Sequence, residues 1–314
     1  MWRNRLLLVL SLIGAIFAVG VMSSDYVTYH PGNLPLIITA PHGGYLKPND
    51  IPDRKPKNKT VLIGDMYTTD IAFAISDAVA DQCHGARPHV VVFHVSRRKV
   101  DANRPIESGT DSPQGQAAWK EFHQAIQDAV DHVMANYEHG LILDIHGQAH
   151  PHERVELGYL LYKSELMRLD DNDEAMDEAV KRNSSIQALA KRVASSFPPH
   201  ELLRGNGSFG DLLERSPSSS NSVVRTMPSP SHPYPYSEER YYRGGYITQR
   251  YHTPNNMDAI QLELPKHLRF TKQGRDTITM AIADAACYML ETYYTQQPSQ
   301  KQRQQQQRWI SAKL

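Results

Sequence analysis

Short runs of aliphatic and β-branched residues punctuate the chain: Leu34 to Ala40 (LPLIITA), His89 to Val95 (HVVVFHV), Leu141 to Ile145 (LILDI), Leu157 to Tyr162 (LGYLLY) and Ala259 to Leu264 (AIQLEL). Each is too short and too rich in strand formers for a helix, and each predicts a strand. Apolar positions recur with helical spacing from about Tyr67 to Gln82, Gln114 to Asn136, Ile186 to Ser196 and Lys272 to Tyr294. Strands that alternate with helices predict an α/β domain, a mixed, mostly parallel sheet flanked by helices.

Polar stretches bound and interrupt this pattern. Arg3 and Arg5 precede an apolar run from Leu6 to Met22, closed by Ser23, Ser24 and Asp25, which is the layout of a signal peptide over residues 1–23. Cleavage after Gly20 or after Ser23 would leave a secreted chain. Left uncleaved, the same run is a membrane anchor at the short edge of a spanning helix. Between the fourth and fifth strands come an acidic stretch, Asp170 to Glu178, and a Ser/Pro-rich insertion near 215–240. The composition of the insertion predicts a mobile surface loop without a packed core, a candidate lid. Residues 296–314 are Gln-rich and expected to be disordered, which leaves 24–295 as a single domain.

Composition narrows the function. The 314 residues include 34 Lys+Arg and 34 Asp+Glu, and a chain without a basic excess lacks the electrostatic footprint of a nucleic-acid binder. An apolar content of 40% supports a folded core. Sequons beginning at Asn58, Asn183 and Asn206 fit export as a glycoprotein. Cys83 and Cys287 are too few for a disulfide scaffold. They suffice for one bridge in an oxidising compartment, and are equally compatible with two separate buried thiols, since both lie in helical stretches.

Polar side chains gather where the strands end, the position at which open α/β sheets build their sites. The first strand runs into Pro41-His42-Gly43-Gly44, where the glycines let the backbone turn close to a ligand and His42 offers an imidazole to a metal. The second leads into Arg97-Arg98-Lys99-Val100-Asp101-Ala102-Asn103-Arg104, whose guanidinium groups suit an anionic substrate end or a developing oxyanion. At the end of the third, Asp144 and His146 are two residues apart and so share a face, a spacing that suits a ligand and a neighbouring carboxylate. In the fifth, Ile260, Leu262 and Leu264 face one way and Gln261 and Glu263 the other, which aims Glu263 from a sheet end toward a pocket. His150 and His152 stand near enough to His146 to serve as reserve ligands. Any one of these residues alone reads more readily as structural than as functional, but their ordered recurrence at strand ends points to a site.

Taken in order, P-H-G-G, then Gly64-Asp65-Met66-Tyr67-Thr68-Thr69-Asp70, R-x-x-x-D-x-N-R, D-x-H-G, Gly244-Gly245-Tyr246-Ile247-Thr248 and Gln261-Leu262-Glu263-Leu264, the chain resembles the N-formylglutamate amidohydrolase family over roughly Leu34 to Tyr293. That family is related to the zinc carboxypeptidases and to aspartoacylase. The resemblance implies a zinc-carboxypeptidase-like (phosphorylase/hydrolase-like) architecture and one zinc ion per chain held by His42, Asp65 and His146, with Asp70 the alternate to Asp65. It implies Glu263 as proton shuttle, Arg97 or its neighbour Arg98 as the oxyanion residue, and Asn103 and Arg104 as the clamp on a substrate carboxylate. The expected protein is a secreted zinc-dependent hydrolase of an amide bond adjacent to a carboxylate, acting on an N-acyl amino acid or small peptide. A zinc carboxypeptidase and a non-catalytic relative that only binds a carboxylate ligand are the competing outcomes. No nucleic-acid partner is expected, and no stable membrane partner once the signal peptide is cleaved.

Overall fold

The computed structural model describes residues 22–56, 60–168, 172–217, 224–254 and 256–294. Most of the expected signal segment, the Gln-rich tail and Asn58 lie outside them. Eight strands form one sheet: β1 (Met22–Ser23), β2 (Val27–His30), β3 (Leu36–Ala40), β4 (His89–Phe93), β5 (Gly140–Gly147), β6 (Val155–Gly158), β7 (Thr226–Met227) and β8 (Met257–Leu264), in the spatial order β1-β2-β4-β3-β5-β8-β6-β7. Pairing is parallel between β3 and β4, β3 and β5, β5 and β8, and β6 and β7. It is antiparallel at β1 with β2, β2 with β4, and β6 with β8. The sheet is therefore mixed and mostly parallel, and the protein is α/β.

The helices are α1 (Thr68–Gln82), α2 (Ile106–Gly109), α3 (Pro113–Asn136), α4 (Lys163–Arg168), α5 (Asp173–Asn183), α6 (Gln187–Val193), α7 (Pro199–Arg204), α8 (Phe209–Arg215), α9 (Tyr246–Tyr251), α10 (Lys266–Phe270) and α11 (Lys272–Met289), which runs into a π-helical turn, Leu290–Tyr294. Strand side chains alternate between the two faces. Leu36, Ile38 and Ala40, Leu141, Leu143 and Ile145, and Ile260, Leu262 and Leu264 pack under α1 and α11. Ile37, Ile142 and Ala259 pack on the opposite face against α3 and α9. Both faces are buried, as a largely parallel sheet requires. No helix among the described residues is long and apolar enough to cross a membrane.

Several local expectations change. The fourth predicted strand lies earlier, at Val155–Gly158, because Leu160 adopts a left-handed φ of 66° that ends extended structure, although Tyr159 and Leu161 stay buried. The described part of the acidic stretch, from Asp173, lies in α5, capped by the Asn172 side chain accepting from Ala175 N at 2.9 Å, with acids in its first turn and Lys181 and Arg182 in its last. Those charges complement the helix dipole. The Ser/Pro-rich insertion is not a coreless loop throughout. Val224, Thr226, Met227, Ser229 and His232 are buried, and Thr226–Met227 pairs as edge strand β7 against β6. Pairing with a sheet edge supplies the hydrogen bonds and burial that its composition alone could not.

Candidate active site

Chain topology sets where the site lies. The connection from β3 to β4 passes through α1 on one face, and that from β4 to β5 passes through α3 on the other, with β5 placed on the far side of β3. Such a reversal opens a crevice outside the carboxyl ends of the strands. The α3 face of the central strands begins apolar and ends polar: Ile37 then Thr39, Ile142 then Asp144 and His146, Ala259 then Gln261 and Glu263. Cross-strand register sets these ends in rows. Thr39 pairs with Asp144 and Asp144 with Gln261, and one step on, His146 pairs with Glu263 and Glu263 with Glu156.

At the centre, His42 Nδ1, His146 Nδ1 and Asp65 Oδ2 lie 3.1, 3.2 and 3.0 Å apart in a triangle of buried donors. The remote nitrogen of each imidazole is already engaged. His42 Nε2 donates to Asp101 Oδ1 at 2.7 Å, and His146 Nε2 donates to Asp144 Oδ2 at 2.9 Å. A carboxylate only accepts, so those nitrogens carry ring hydrogens and each Nδ1 is the atom turned toward the other ring and toward Asp65, with His146 Nδ1 the one that favours an added positive charge. Three such converging atoms repel unless a proton or a cation lies among them. First-row ions holding nitrogen and oxygen at about 2.0–2.1 Å in a tetrahedron set neighbouring donors about 3.3 Å apart, close to this triangle. Each histidine is thus oriented by a carboxylate on its far side, the arrangement that fixes tautomer and raises ligand basicity.

Electrostatics fit that description. Burial alone would raise the Asp65 pKa, but hydrogen bonds and charge from His146 and His42 outweigh it and hold the carboxyl well below its ordinary value. Burial would lower His146, yet the Asp144 charge and its hydrogen bond, joined by Asp65, push it well above normal. A group of opposed charges that favours positive charge at one point suits a metal in place of the extra proton.

Of the two alternatives at this locus, Asp65 joins the cluster while Asp70 sits exposed on the first turn of α1. Asp65 is fixed by its own backbone: its N–H donates to His42 O at 2.9 Å, and its carbonyl accepts from Thr68 Oγ1 at 2.8 Å. The paired arginines separate in the same way. Arg97 is 14% exposed, with Nε on Asp101 Oδ2 at 3.0 Å and Nη1 3.7 Å from Asp65 Oδ1, whereas Arg98 turns to Asp53 at 3.7 Å and is half-exposed. Asn103 is buried and spends its amide inside the protein: Oδ1 accepts from Ile247 N at 2.8 Å, and Nδ2 lies 3.1 Å from His146 Nε2 and 3.3 Å from Gln261 Oε1. It therefore braces the site rather than facing a ligand. Arg104 is exposed beside it.

Glu263 is buried and accepts from Gln261 Nε2 at 2.9 Å. Gly245 N in turn donates to Gln261 Oε1 at 2.7 Å, which fixes the amide's direction. Burial, with Asp65 and Glu156 nearby and His146 opposing, pushes the Glu263 pKa up to about 8. His150 and His152 do not join the donor triangle. They gather on Glu156, His150 Nδ1 at 2.5 Å and His152 Nε2 at 3.2 Å from Oε1. Since His152 Nδ1 accepts from Arg154 N and its Nε2 faces Arg240 O, that Nε2 carries the hydrogen and is not a free ligand.

Sequence reasoning gave no role to Asp101, Gln261 or Glu156. Asp101 stands inside the D-x-N-R motif, and Gln261 shares strand parity with Glu263, so both carried a signal; Glu156 shows itself only through cross-strand register.

No family model matches the chain, and no curated protein matches it. Among solved structures, it is similar to an N-formylglutamate amidohydrolase from Ralstonia eutropha, with 12% identity, a TM-score of 0.49, and coverage of 85% of this chain and 98% of that one. A gene product of Agrobacterium tumefaciens is similar at 12% identity and a TM-score of 0.48, covering 85% of this chain and 95% of that one. An N-acetylmuramyl-L-alanine amidase from Mycobacterium smegmatis is similar at 10% identity and a TM-score of 0.37, covering 82% and 97%. At these levels the functional reading rests on the geometry of the site itself.

Proposed function

We propose that the protein is an exported zinc-dependent amidohydrolase of the N-formylglutamate amidohydrolase kind, cleaving an amide bond next to a carboxylate in an N-acyl amino acid or small peptide. The observation that carries this is the convergence of His42 Nδ1, His146 Nδ1 and Asp65 Oδ2 with both remote imidazole nitrogens held by carboxylates. When bound there, zinc supplies Lewis-acid polarisation and makes water acidic enough to act as a nucleophile near neutral pH. Glu263, one strand across from His146, takes the proton of the attacking water and returns it to the departing amine. Its elevated pKa suits both halves of that cycle. Arg97, anchored by Asp101, stabilises the developing oxyanion, and exposed Arg104 holds the substrate carboxylate at the mouth.

One observation favours a second reading on the acyl side. Tyr45 and Ile63, on the two loops that carry His42 and Asp65, are 84% and 79% exposed, and Met66 is exposed beside them. An apolar rim suits an acyl group larger than formyl, so a carboxypeptidase acting on short peptides is the alternative. Elemental analysis tests the metal: about one zinc per chain is expected, lost in His42→Ala and in His146→Ala, and full retention in both variants would overturn the assignment. Turnover of formyl, acetyl and short peptidyl amino acids then separates the two substrates.

A further inference from the structure

Arg269 lies on α10, immediately after β8, and is 4% exposed. Its guanidinium makes no ion pair among the described residues. Instead, three nitrogens donate to three backbone carbonyls: Nε to Leu264 at 3.0 Å, Nη1 to Met66 at 2.8 Å and Nη2 to Gln148 at 3.0 Å. Those carbonyls belong to three segments far apart in the chain, of which the ends of β5 and β8 also meet through their ladder and the Gln148 N to Leu264 O bond, while the Met66 loop is joined to them by Arg269. Leu264 follows Glu263, Met66 follows Asp65, and Gln148 stands two residues after His146.

Neighbouring features are shaped around this contact. A Cβ added at Gly147 would lie 2.3 Å from the Arg269 Cζ, so glycine beside His146 is what lets the guanidinium lie against the end of β5. Tyr67, next after Met66, has a left-handed φ of 71°, a conformation that a bulky residue adopts only when its surroundings hold it there. Arg275 covers the Tyr67 ring at 4.6 Å and donates to Arg269 O at 2.7 Å. A planar fork with donors on three sides can bridge three carbonyls from one point, which neither lysine nor a neutral side chain does. Burying such a charge is costly when no carboxylate touches it. Burial lowers the Arg269 pKa, and the nearby Asp65 and Glu263 oppose it only in part.

We infer that Arg269 is a positioning residue of the metal centre, setting the spacing of Asp65, His146 and Glu263 by clasping the backbone beside each one. The inference rests on the metal reading above. Removing the clasp leaves every ligand in the chain but loosens the triangle, so the cost falls on metal affinity and coordination geometry.

The test uses the whole protein, with zinc affinity by competition against a chelator and the visible absorption of the cobalt-substituted form as readouts. Arg269→Met keeps the aliphatic stem and loses all three donors. Zinc should bind about 10-fold or more weakly, as for other groups that orient ligands without touching the metal, and the cobalt bands should change shape. Arg269→Lys should recover part of the loss. If Arg269→Met does not fold, Gly147→Ala serves, since it displaces the guanidinium without removing a charge. Its penalty should shrink in the Arg269→Lys background, where the displaced group is absent. Folded Arg269→Met, or failing that Gly147→Ala, with wild-type zinc affinity and an unchanged cobalt spectrum would overturn the inference alone. A wild-type protein that binds no zinc would overturn the metal reading and this inference with it.

Discussion

His42 and His146 use the same device twice, a buried carboxylate behind each ring that decides which nitrogen faces the centre. Asp101 does this while also anchoring Arg97, so one side chain orients both a donor and a cation. Glu263 differs in kind, because the side chain that donates to it is the neutral Gln261 amide and it retains a proton to about pH 8 in the metal-free protein. Glu263→Gln is nearly isosteric and leaves the donor triangle intact. It should therefore bind zinc like wild type while kcat falls by about 100-fold or more, as for a positioned general base. A base must be ionised to act, so wild-type kcat/KM should rise with pH along a limb centred at or below about 8, since a bound cation draws the carboxyl downward. Metal loss in Glu263→Gln would make the residue a ligand, and unchanged turnover would remove it from the chemistry.

At the scale of elements, the strands serve two ends, with apolar residues in the core and polar ones beyond it. β8 shows this most clearly, and it carries a second buried acid at its start. Asp258 Oδ1 accepts from Ala188 N and Leu189 N at 3.1 Å each, and Oδ2 accepts from the Tyr294 hydroxyl at 2.9 Å. This one carboxyl pins α6 and the terminal π-helical turn to the sheet. Burial pushes its pKa up to about 7, against hydrogen bonds that favour the ion. The unfolded chain gives up this proton near its ordinary value of 3.8 and the folded chain near 7, so between those values the folded state binds more protons. Stability from this group must then fall as pH rises across that window, and level off above it. Asp258→Asn should flatten the slope. Urea unfolding at pH 5 and pH 8 should show wild type losing on the order of 2 kcal/mol more than the variant, since each tenfold difference in proton affinity between the two states is worth about 1.4 kcal/mol. Equal losses would mean that Asp258 stays ionised throughout.

For the molecule as a whole, the closure of the fold brings α1 and α11 together, and with them Cys83 and Cys287, whose sulfurs lie 2.6 Å apart across most of the chain's length. In an oxidising compartment that contact favours a disulfide, which typically contributes about 2–4 kcal/mol. The two proposed cleavage positions also differ in consequence. Met22–Ser23 pairs with Thr28 and Tyr29 as β1, so cleavage after Gly20 keeps this edge strand and cleavage after Ser23 deletes it. Intact mass of exported, deglycosylated protein, read before and after reduction, should give a chain beginning at Val21 and a gain of two hydrogens on reduction. A chain retaining Met1 in a membrane fraction would favour the anchor, and a mass unchanged by reduction would leave the cysteines as thiols. The exposed Asn183 and Asn206 are the described sequons open to a glycan.

The one-dimensional pattern was enough for what depends on local periodicity. A period of two along LILDIHG and AIQLEL sorts apolar from polar faces, and this alone placed Asp144 with His146, and Gln261 with Glu263, on faces opposite the core rows, as the sheet displays. Helical spacing likewise located α1, α3 and α11. Side-chain partnerships formed across long sequence separations were not legible. Asp65 against Asp70 and Arg97 against Arg98 are choices between near neighbours that periodicity cannot make; in the fold the loop before α1 brings Asp65 to His42, and the turn after β4 brings Arg97 to Asp101. Glu156 beside Glu263, edge strand β7 within the Ser/Pro-rich segment, and Arg269 over three carbonyls depend on strand register and chain closure. Such contacts join residues tens to hundreds of positions apart, and only the folded chain brings them within reach.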